Sequence, residues 1–284
     1  MARPLRIEFP GAIYHVISRG NSSQPIYGDD SDRLIFLDIL ERAFERYHLV
    51  CHAYCLMENH YHLLIETPEG NLSEGMRQIN GVYTRRFNAR HEKSGHLFQG
   101  RFKAKLVERE SYLLEVNRYI SLNPVRSGLV SDPAEYAWSS FPAMIGVQTA
   151  PGFLNREWIL AQFDNSPDGA MRKYREFVYD GMAQNVLTEH ANETILGSPR
   201  FKRNLQGILQ NSMAIREIPR MQRYVSRPAL QNIFTSGTKT ERNMRNAAIR
   251  KCVLDYGYSM KEVSQYLGLH YTTISKIVNQ EEKI

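Results

Sequence analysis

The sequence predicts an α+β fold: an antiparallel sheet with helices packed on it, then a mostly helical extension, then a C-terminal helix-turn-helix. Three observations lead there. Over residues 1–130, strand-like and helix-like patterns alternate, with a tight turn joining two of the strands. Large aromatic residues (Trp138, Phe141, Trp158, Tyr174, Phe177, Tyr179) then continue through 131–185, which reads as packed chain. Finally, 241–284 carries two short helical patterns joined at a glycine, behind a longer helical pattern.

Taken in order, Ala12–Arg19 is rich in β-branched and aromatic residues and reads as a strand, ended by Gly20-Asn21. Asp30–Tyr47 has apolar residues at helical spacing, with Asp29, Asp30 or Ser31 as cap. Leu49–Met57 and His60–Glu66 read as two strands around a Glu58-Asn59 turn. A second helix runs from Asn71 to about Arg90. Leu97-Phe98 and Phe102–Val107 read as further strand, and Ser111–Leu122 as a third helix stopped by Asn123-Pro124. The segment 186–240 is a basic linker or helical region with weak element signals. Beyond it, Arg242–Tyr256 reads as a helix, Ser259-Met-Lys-Glu262 as a capping box, Gly268 as a turn and Leu269–Val278 as a final helix with Ile274 and Val278 inward. These patterns divide the chain into 1–130, 131–185, 186–240 and 241–284.

With 284 residues, 42% hydrophobic and 23% charged, the chain can build a real core. No apolar run approaches the roughly 20 residues of a membrane span, and the N-terminal residues lack the apolar stretch of a signal peptide. The expectation is a cytoplasmic protein with no membrane partner. Cys51, Cys55 and Cys252 are too few for a disulfide framework. Cys51 and Cys55, four apart in a strand, are expected on one side as small buried hydrophobes.

The net charge of +6 is uneven. From Arg200 onward there are 15 Lys and Arg against 6 Asp and Glu, whereas residues 1–199 hold 21 against 24. Within that first part, residues 71–107 carry Arg77, Arg85, Arg86, Arg90, Lys93, Arg101, Lys103 and Lys105 against Glu74 and Glu92. Such clusters suit a polyphosphate partner, although solvated surface charge has the same composition.

Two constellations carry chemistry. On a strand, His60 and His62 share a face about 6.5–7 Å apart, and two neutral imidazoles so placed can grip one metal ion. Tyr61 then points away, with Leu63 and Ile65. Tyr119 and Asn123 lie one helical turn apart on one face. Asn123 offers a carbonyl oxygen as metal ligand. Tyr119 offers a phenol, which is a poor nucleophile near neutral pH unless a nearby cation helps. Each pair also has a structural reading: surface histidines in one case, a core aromatic and a helix terminator in the other. In the C-terminal helices, Tyr271, Thr272, Thr273 and Lys276 would face outward and could contact DNA.

In combination these segments are similar to a known family. Asn59-His-Tyr-His-Leu-Leu-Ile65 resembles the His-hydrophobic-His strand of the HUH endonuclease superfamily, in the form found in single-tyrosine transposases. Tyr119-Ile-Ser-Leu-Asn-Pro-Val-Arg-Ser-Gly-Leu129 resembles the catalytic helix of the REP-associated tyrosine transposases, a bacterial branch of that group. Tyr14-His-Val-Ile-Ser-Arg-Gly-Asn21 and Gly95-His-Leu-Phe-Gln-Gly-Arg-Phe102 resemble further blocks of that branch. The resemblance covers about residues 1–185, and the terminal helix-turn-helix is similar to a module of some longer members. One departure is Glu58, which stands where the family usually has proline.

The resemblance implies a ferredoxin-like, HUH-type catalytic domain over 1–130. It implies that Tyr119 attacks a phosphodiester of single-stranded DNA, forming a 5′-phosphotyrosine link and a free 3′-OH. His60, His62 and Asn123 would hold Mg²⁺ or Mn²⁺. The partner would be hairpin DNA from palindromic repeats, with duplex DNA a further partner through the C-terminal module, and the protein would work at the bacterial nucleoid as a monomer or homodimer. Arg77, Arg85, Arg86, Arg101, Lys103 and Lys105 are candidates for phosphate contacts. Tyr14, His15, Arg19 and Asn21 are candidates for reading flanking bases. Two other functions remain open from the residues alone. A non-catalytic DNA-binding regulator would leave His60, His62, Tyr119 and Asn123 apart in space. A hydrolase using metal-bound water would recruit carboxylates, and Glu66 shares the face of His60 and His62.

Overall fold

The structure is a computed structural model of the chain. It describes residues 8–182, 193–205, 228–235, 241–254, 256 and 258–279. Glu8–Ser198 form one compact unit, and the described residues from Pro199 onward belong to a second. Among the described residues no helix is long and apolar enough to cross a membrane.

The first unit begins β1 (Ala12–Arg19), α1 (Asp30–Arg46), β2 (Val50–Leu56), β3 (His60–Thr67), α2 (Leu72–Arg90), β4 (Lys103–Val107), α3 (Arg109–Arg126). The strands lie in the order β2-β3-β1-β4, and all three pairings are antiparallel. This is the β-α-β-β-α-β arrangement of ferredoxin-like folds. A two-residue strand, β5 (Ile195–Leu196), adds to β4 in parallel, so the expected antiparallel sheet is mixed at one edge. The two middle strands, β1 and β3, are buried along most of their length because both sheet faces are covered.

Helices α1 and α2 cover one face. Phe36 of α1 packs 4.9 Å from the Tyr61 and Tyr83 rings, and Tyr61 Oη donates to Asn80 of α2 at 2.5 Å. Tyr61 therefore points away from His60 and His62, as the two-residue period requires. Asp29 caps α1 by accepting from the Asp32 amide at 3.1 Å. Helix α3 covers the other face, where Asn117 Nδ2 donates to the His52 carbonyl at 3.0 Å. Four short or medium elements follow, including α4 (Phe141–Met144), α5 (Glu157–Leu160) and α6 (Pro167–Asp180). Tyr174 of α6 donates to Asn117 Oδ1 at 2.6 Å, which docks the extension onto the back of α3. Backbone bonds Leu56 to Trp138 and Ser140 to Tyr54, both 2.9 Å, close the free edge of β2.

Three local expectations change. Helix α3 does not stop at Asn123-Pro124 but continues to Arg126. Proline removes one backbone donor, which a last turn tolerates. The stop is Gly128, at φ +69°: its amide bonds Val125 and the Leu129 amide bonds Pro124, both at 2.9 Å. That pair of bonds is a Schellman motif. The Leu97-Phe98 segment supplies one bridge, Phe98 to Gly20, and β4 begins at Lys103. Cys51 and Cys55 are both fully buried, but a bulge at His52 breaks the alternation between them. Cys51 pairs with Ile65 and Cys55 with His62, so they face opposite sides.

In the second unit, α7 (Arg242–Leu254), α8 (Met260–Leu267) and α9 (Tyr271–Asn279) enclose Ile249, Cys252, Val263, Ile274 and Ile277. The capping box forms: Glu262 N donates to Ser259 Oγ at 3.1 Å, and Ser259 N to Glu262 Oε2 at 2.6 Å. Gly268 turns the chain at φ +65°. Ile277 is buried more fully than Val278, which is only partly covered. Thr272, Thr273 and Lys276 are exposed, while the side chain of Tyr271 lies outside the described residues.

Candidate active site

The register of β1 between β3 and β4 builds the floor of the site. Arg19 pairs with His60, Ile17 with His62 and Lys103 with Ile17. Paired residues on antiparallel strands share a face. That face is the one α3 covers, with Tyr119 and Asn123 one turn apart. The result is a cleft of about 650 Å³ lined by His60, His62, Tyr119 and Asn123. Arg19, Arg101 and Lys103 line it too, so the cleft is cationic. The four residues that a regulator would leave apart thus converge on one cleft. A larger hollow of about 1020 Å³ lies elsewhere in this unit and is lined by Glu41, Glu45, Glu157 and Asp164, a poor surface for a phosphodiester.

Hydrogen bonds fix the imidazoles. Asn59 Nδ2 donates to the Ser23 carbonyl at 3.2 Å, which turns its Oδ1 toward His60 Nδ1, 2.7 Å away. Nδ1 of His60 is therefore the donor, and Nε2 keeps its lone pair. His60 Nε2 lies 3.0 Å from His62 Nε2, and His62 Nδ1 lies 2.9 Å from His15 Nε2. Burial, reinforced by Arg19, lowers the pKa of His60 to about 4. Burial also holds His62 well below the usual histidine range, with His15, His60 and Arg19 adding to the effect. His15 falls to about 3 through burial and then the Lys105 charge. All three rings are neutral at neutral pH, the form that ligates metals.

Asn123 donates through Nδ2 to the Tyr119 carbonyl at 2.9 Å, and no described residue bonds its Oδ1. The half-buried Tyr119 ring sits edge-on to His15 and His62, with centroids 5.8 and 6.0 Å away. The Arg126 guanidinium lies 5.2 Å over the same ring. Burial lowers the pKa of Arg126, and Tyr119 opposes that fall. The Tyr119 ring thus has the Arg126 guanidinium over it and the His15 and His62 rings at its edge.

Other candidates fall elsewhere. Arg77, Arg85 and Arg86 are exposed on α2, across the sheet from the cleft, and Arg86 pairs with Asp38 at 3.3 Å. Lys105 pairs with His15 on β4 and is half-buried, with its pKa lowered by burial. Tyr14 and His15 are 1% and 3% exposed, so neither is placed to stack on a base. Asn21 remains exposed, and so does Glu58. Glu66 is committed to His52 Nε2 at 3.0 Å and to Arg109, which leaves the water-based mechanism without its carboxylate. Among the described residues no group of three or more His, Cys, Asp or Glu could hold a metal ion. The cleft offers two imidazoles, His60 and His62, and the amide of Asn123. Sequence reasoning missed Gln99 and Ser127 in the cleft wall, Arg126 over the tyrosine, and His15 as the partner of His62. The first of these lies in a motif already noted; the last is visible only once β1 is paired with β3.

Residues 9–123, which hold His60, His62, Tyr119 and Asn123, match the model of the IS200-like transposase family. Among curated proteins none matches. Among solved structures, a REP-associated tyrosine transposase bound to a REP hairpin is similar at 17% identity and a TM-score of 0.44, over 56% of this chain and 91% of that one. A protein of Deinococcus radiodurans R1, provisionally assigned as a transposase, is similar at 19% identity and a TM-score of 0.30, over 42% and 94%.

Proposed function

We propose that the protein cuts and rejoins single-stranded DNA at hairpins of palindromic repeats, with Tyr119 as nucleophile, as in the REP-associated tyrosine transposases its motifs resemble. The observation that carries this reading is the placement of the Tyr119 phenol above His60 and His62 in a cleft rimmed by cations. Arg19, Arg101 and Lys103 would bind the backbone phosphates on either side of the scissile bond. Tyr119 Oη would then attack phosphorus. The new bond joins the phenol oxygen to the 5′-phosphate, the P–O3′ bond breaks, and the leaving oxygen takes a proton from water to become a 3′-OH. The phenol proton passes to solvent, and Arg126 balances the charge that develops on the ring oxygen. A 3′-OH from another cut end reverses the chemistry, so the phosphodiester bond energy is conserved.

The donor set fits a divalent ion. His60 Nε2 and His62 Nε2 lie 3.0 Å apart and would hold the ion together, and Asn123 Oδ1 would add an oxygen. When bound, Mg²⁺ or Mn²⁺ would supply Lewis-acid polarisation of the phosphate, with Mn²⁺ better matched to imidazole. In the second unit, α8 and α9 would act as a helix-turn-helix, with the exposed Thr272, Thr273 and Lys276 toward duplex DNA. Work of this kind belongs at the nucleoid in the cytoplasm.

The test is cleavage of hairpin DNA labelled at either end, with Mn²⁺, run on denaturing protein gels. Wild type should trap the 3′-labelled fragment as a covalent adduct and release the 5′-labelled one. Tyr119→Phe should form no adduct. Cleavage that persists in Tyr119→Phe would mean that water is the nucleophile, and this reading would fall.

A further inference from the structure

We propose that His15 is a positioning residue: it holds His62 in the tautomer that metal binding requires, and it exchanges its own tautomer when the ion arrives. The inference rests on the metal reading above. His62 has two ring nitrogens, and both are engaged: Nε2 toward His60 at 3.0 Å and Nδ1 toward His15 Nε2 at 2.9 Å. The His15 and His62 rings lie 5.1 Å apart with 25° between their planes, and both residues are buried, so water does not readily replace either partner.

Proton counting then fixes the rest. His60 donates its Nδ1 proton to Asn59 and has only a lone pair at Nε2. Without metal, the His60–His62 contact therefore needs the His62 proton on Nε2. His62 Nδ1 must then accept from His15 Nε2–H. With metal, both Nε2 lone pairs are ligands, so the His62 proton must sit on Nδ1 and point at His15 Nε2. His15 must now accept there, which puts its proton on Nδ1. Each ring stays neutral, and two protons change position while none is lost. A ligating histidine commonly donates its second ring N–H to a fixed acceptor; here that acceptor is another histidine rather than a carboxylate or carbonyl.

Mn²⁺ titrations of the full chain, read by electron paramagnetic resonance, test this without DNA. Wild type, His60→Ala, His15→Leu and His15→Gln are compared. His60→Ala should lose the site. His15→Leu should bind Mn²⁺ about 10–100-fold more weakly, the usual effect of removing such a partner. His15→Gln should recover most of that loss, because its carboxamide oxygen can accept from His62. Should His15→Leu bind as wild type does while His60→Ala fails, the role of His15 is refuted and the metal site stands. Equal binding by wild type and His60→Ala removes the metal reading and this inference together. Nitrogen-15 spectra of wild-type histidines give a readout independent of any variant's folding. Addition of Mg²⁺ should convert His62 from the Nε2–H to the Nδ1–H form, and an unchanged tautomer refutes the proposal.

Discussion

At the scale of single residues, the nucleophile role proposed for Tyr119 would depend on what surrounds its ring rather than on the residue type. A free phenol is almost fully protonated at neutral pH. Here the exposed Arg126 side chain sets its guanidinium 5.2 Å over the ring, from a position seven residues along the same helix. A cation on a ring face is worth about 0.5–2 kcal/mol, more as the ring gains negative charge. Arg126→Gln should therefore slow single-turnover adduct formation about tenfold, with hairpin binding little changed. An unaltered rate would show that Arg126 only packs against the ring. Arg126→Lys should retain part of the rate, because it keeps the charge. None of this could be read from the sequence, where Arg126 is one of many basic residues and Tyr119 could equally be core.

At the scale of elements, most of the first 130 residues were legible because their signals are local. The period-two run at Ala12–Arg19, the Asp29 cap and the helical spacing of α2 all form within a few residues of themselves. What failed is nonlocal or depends on backbone torsion. The bulge at His52, which sends Cys51 and Cys55 to opposite faces, leaves no compositional mark. Pairing of Ile195–Leu196 with β4 and closure of the β2 edge by residues 138–140 join segments far apart in sequence. The end of α3 was placed at Pro124 because proline is the louder signal, whereas the φ of +69° at Gly128 sets it. An added Cβ there would meet nothing within 4 Å, so only the backbone conformation resists substitution. Gly128→Ala should cost about 1–2 kcal/mol in urea unfolding, and Gly128→Asn less, since asparagine tolerates the left-handed region. Equal stability of all three would show that Gly128 does not terminate the helix.

At the scale of the whole molecule, the uneven charge was visible in the sequence, but its division between a cleft and an α2 surface across the sheet was not. The same burial that builds the site sets how that unit responds to acid. His15 and His60 have folded pKa values lowered to about 3 and about 4, and His62 is held well below its usual range. In the unfolded chain each would titrate near 6.5. Above that pH all three are neutral in both states and add no slope. As pH falls below about 6.5, the unfolded chain takes up protons that the folded chain refuses, so stability declines until the folded rings titrate. Each such histidine contributes up to about 1.4 kcal/mol per pH unit in that window. Glu66, lowered by its His52 hydrogen bond, has the opposite charge type but the same direction: its contribution is present above its unfolded pKa and is lost in acid. Trp138 and Trp158, the only two tryptophans, both lie in this unit, so their fluorescence follows its unfolding. Urea midpoints between pH 7.5 and 4.5 should fall, and the fall should be shallower by one histidine's share in His15→Leu. If the two proteins lose stability in parallel, His15 is not held neutral by the fold, and the low-pH weakness must come from elsewhere in the unit.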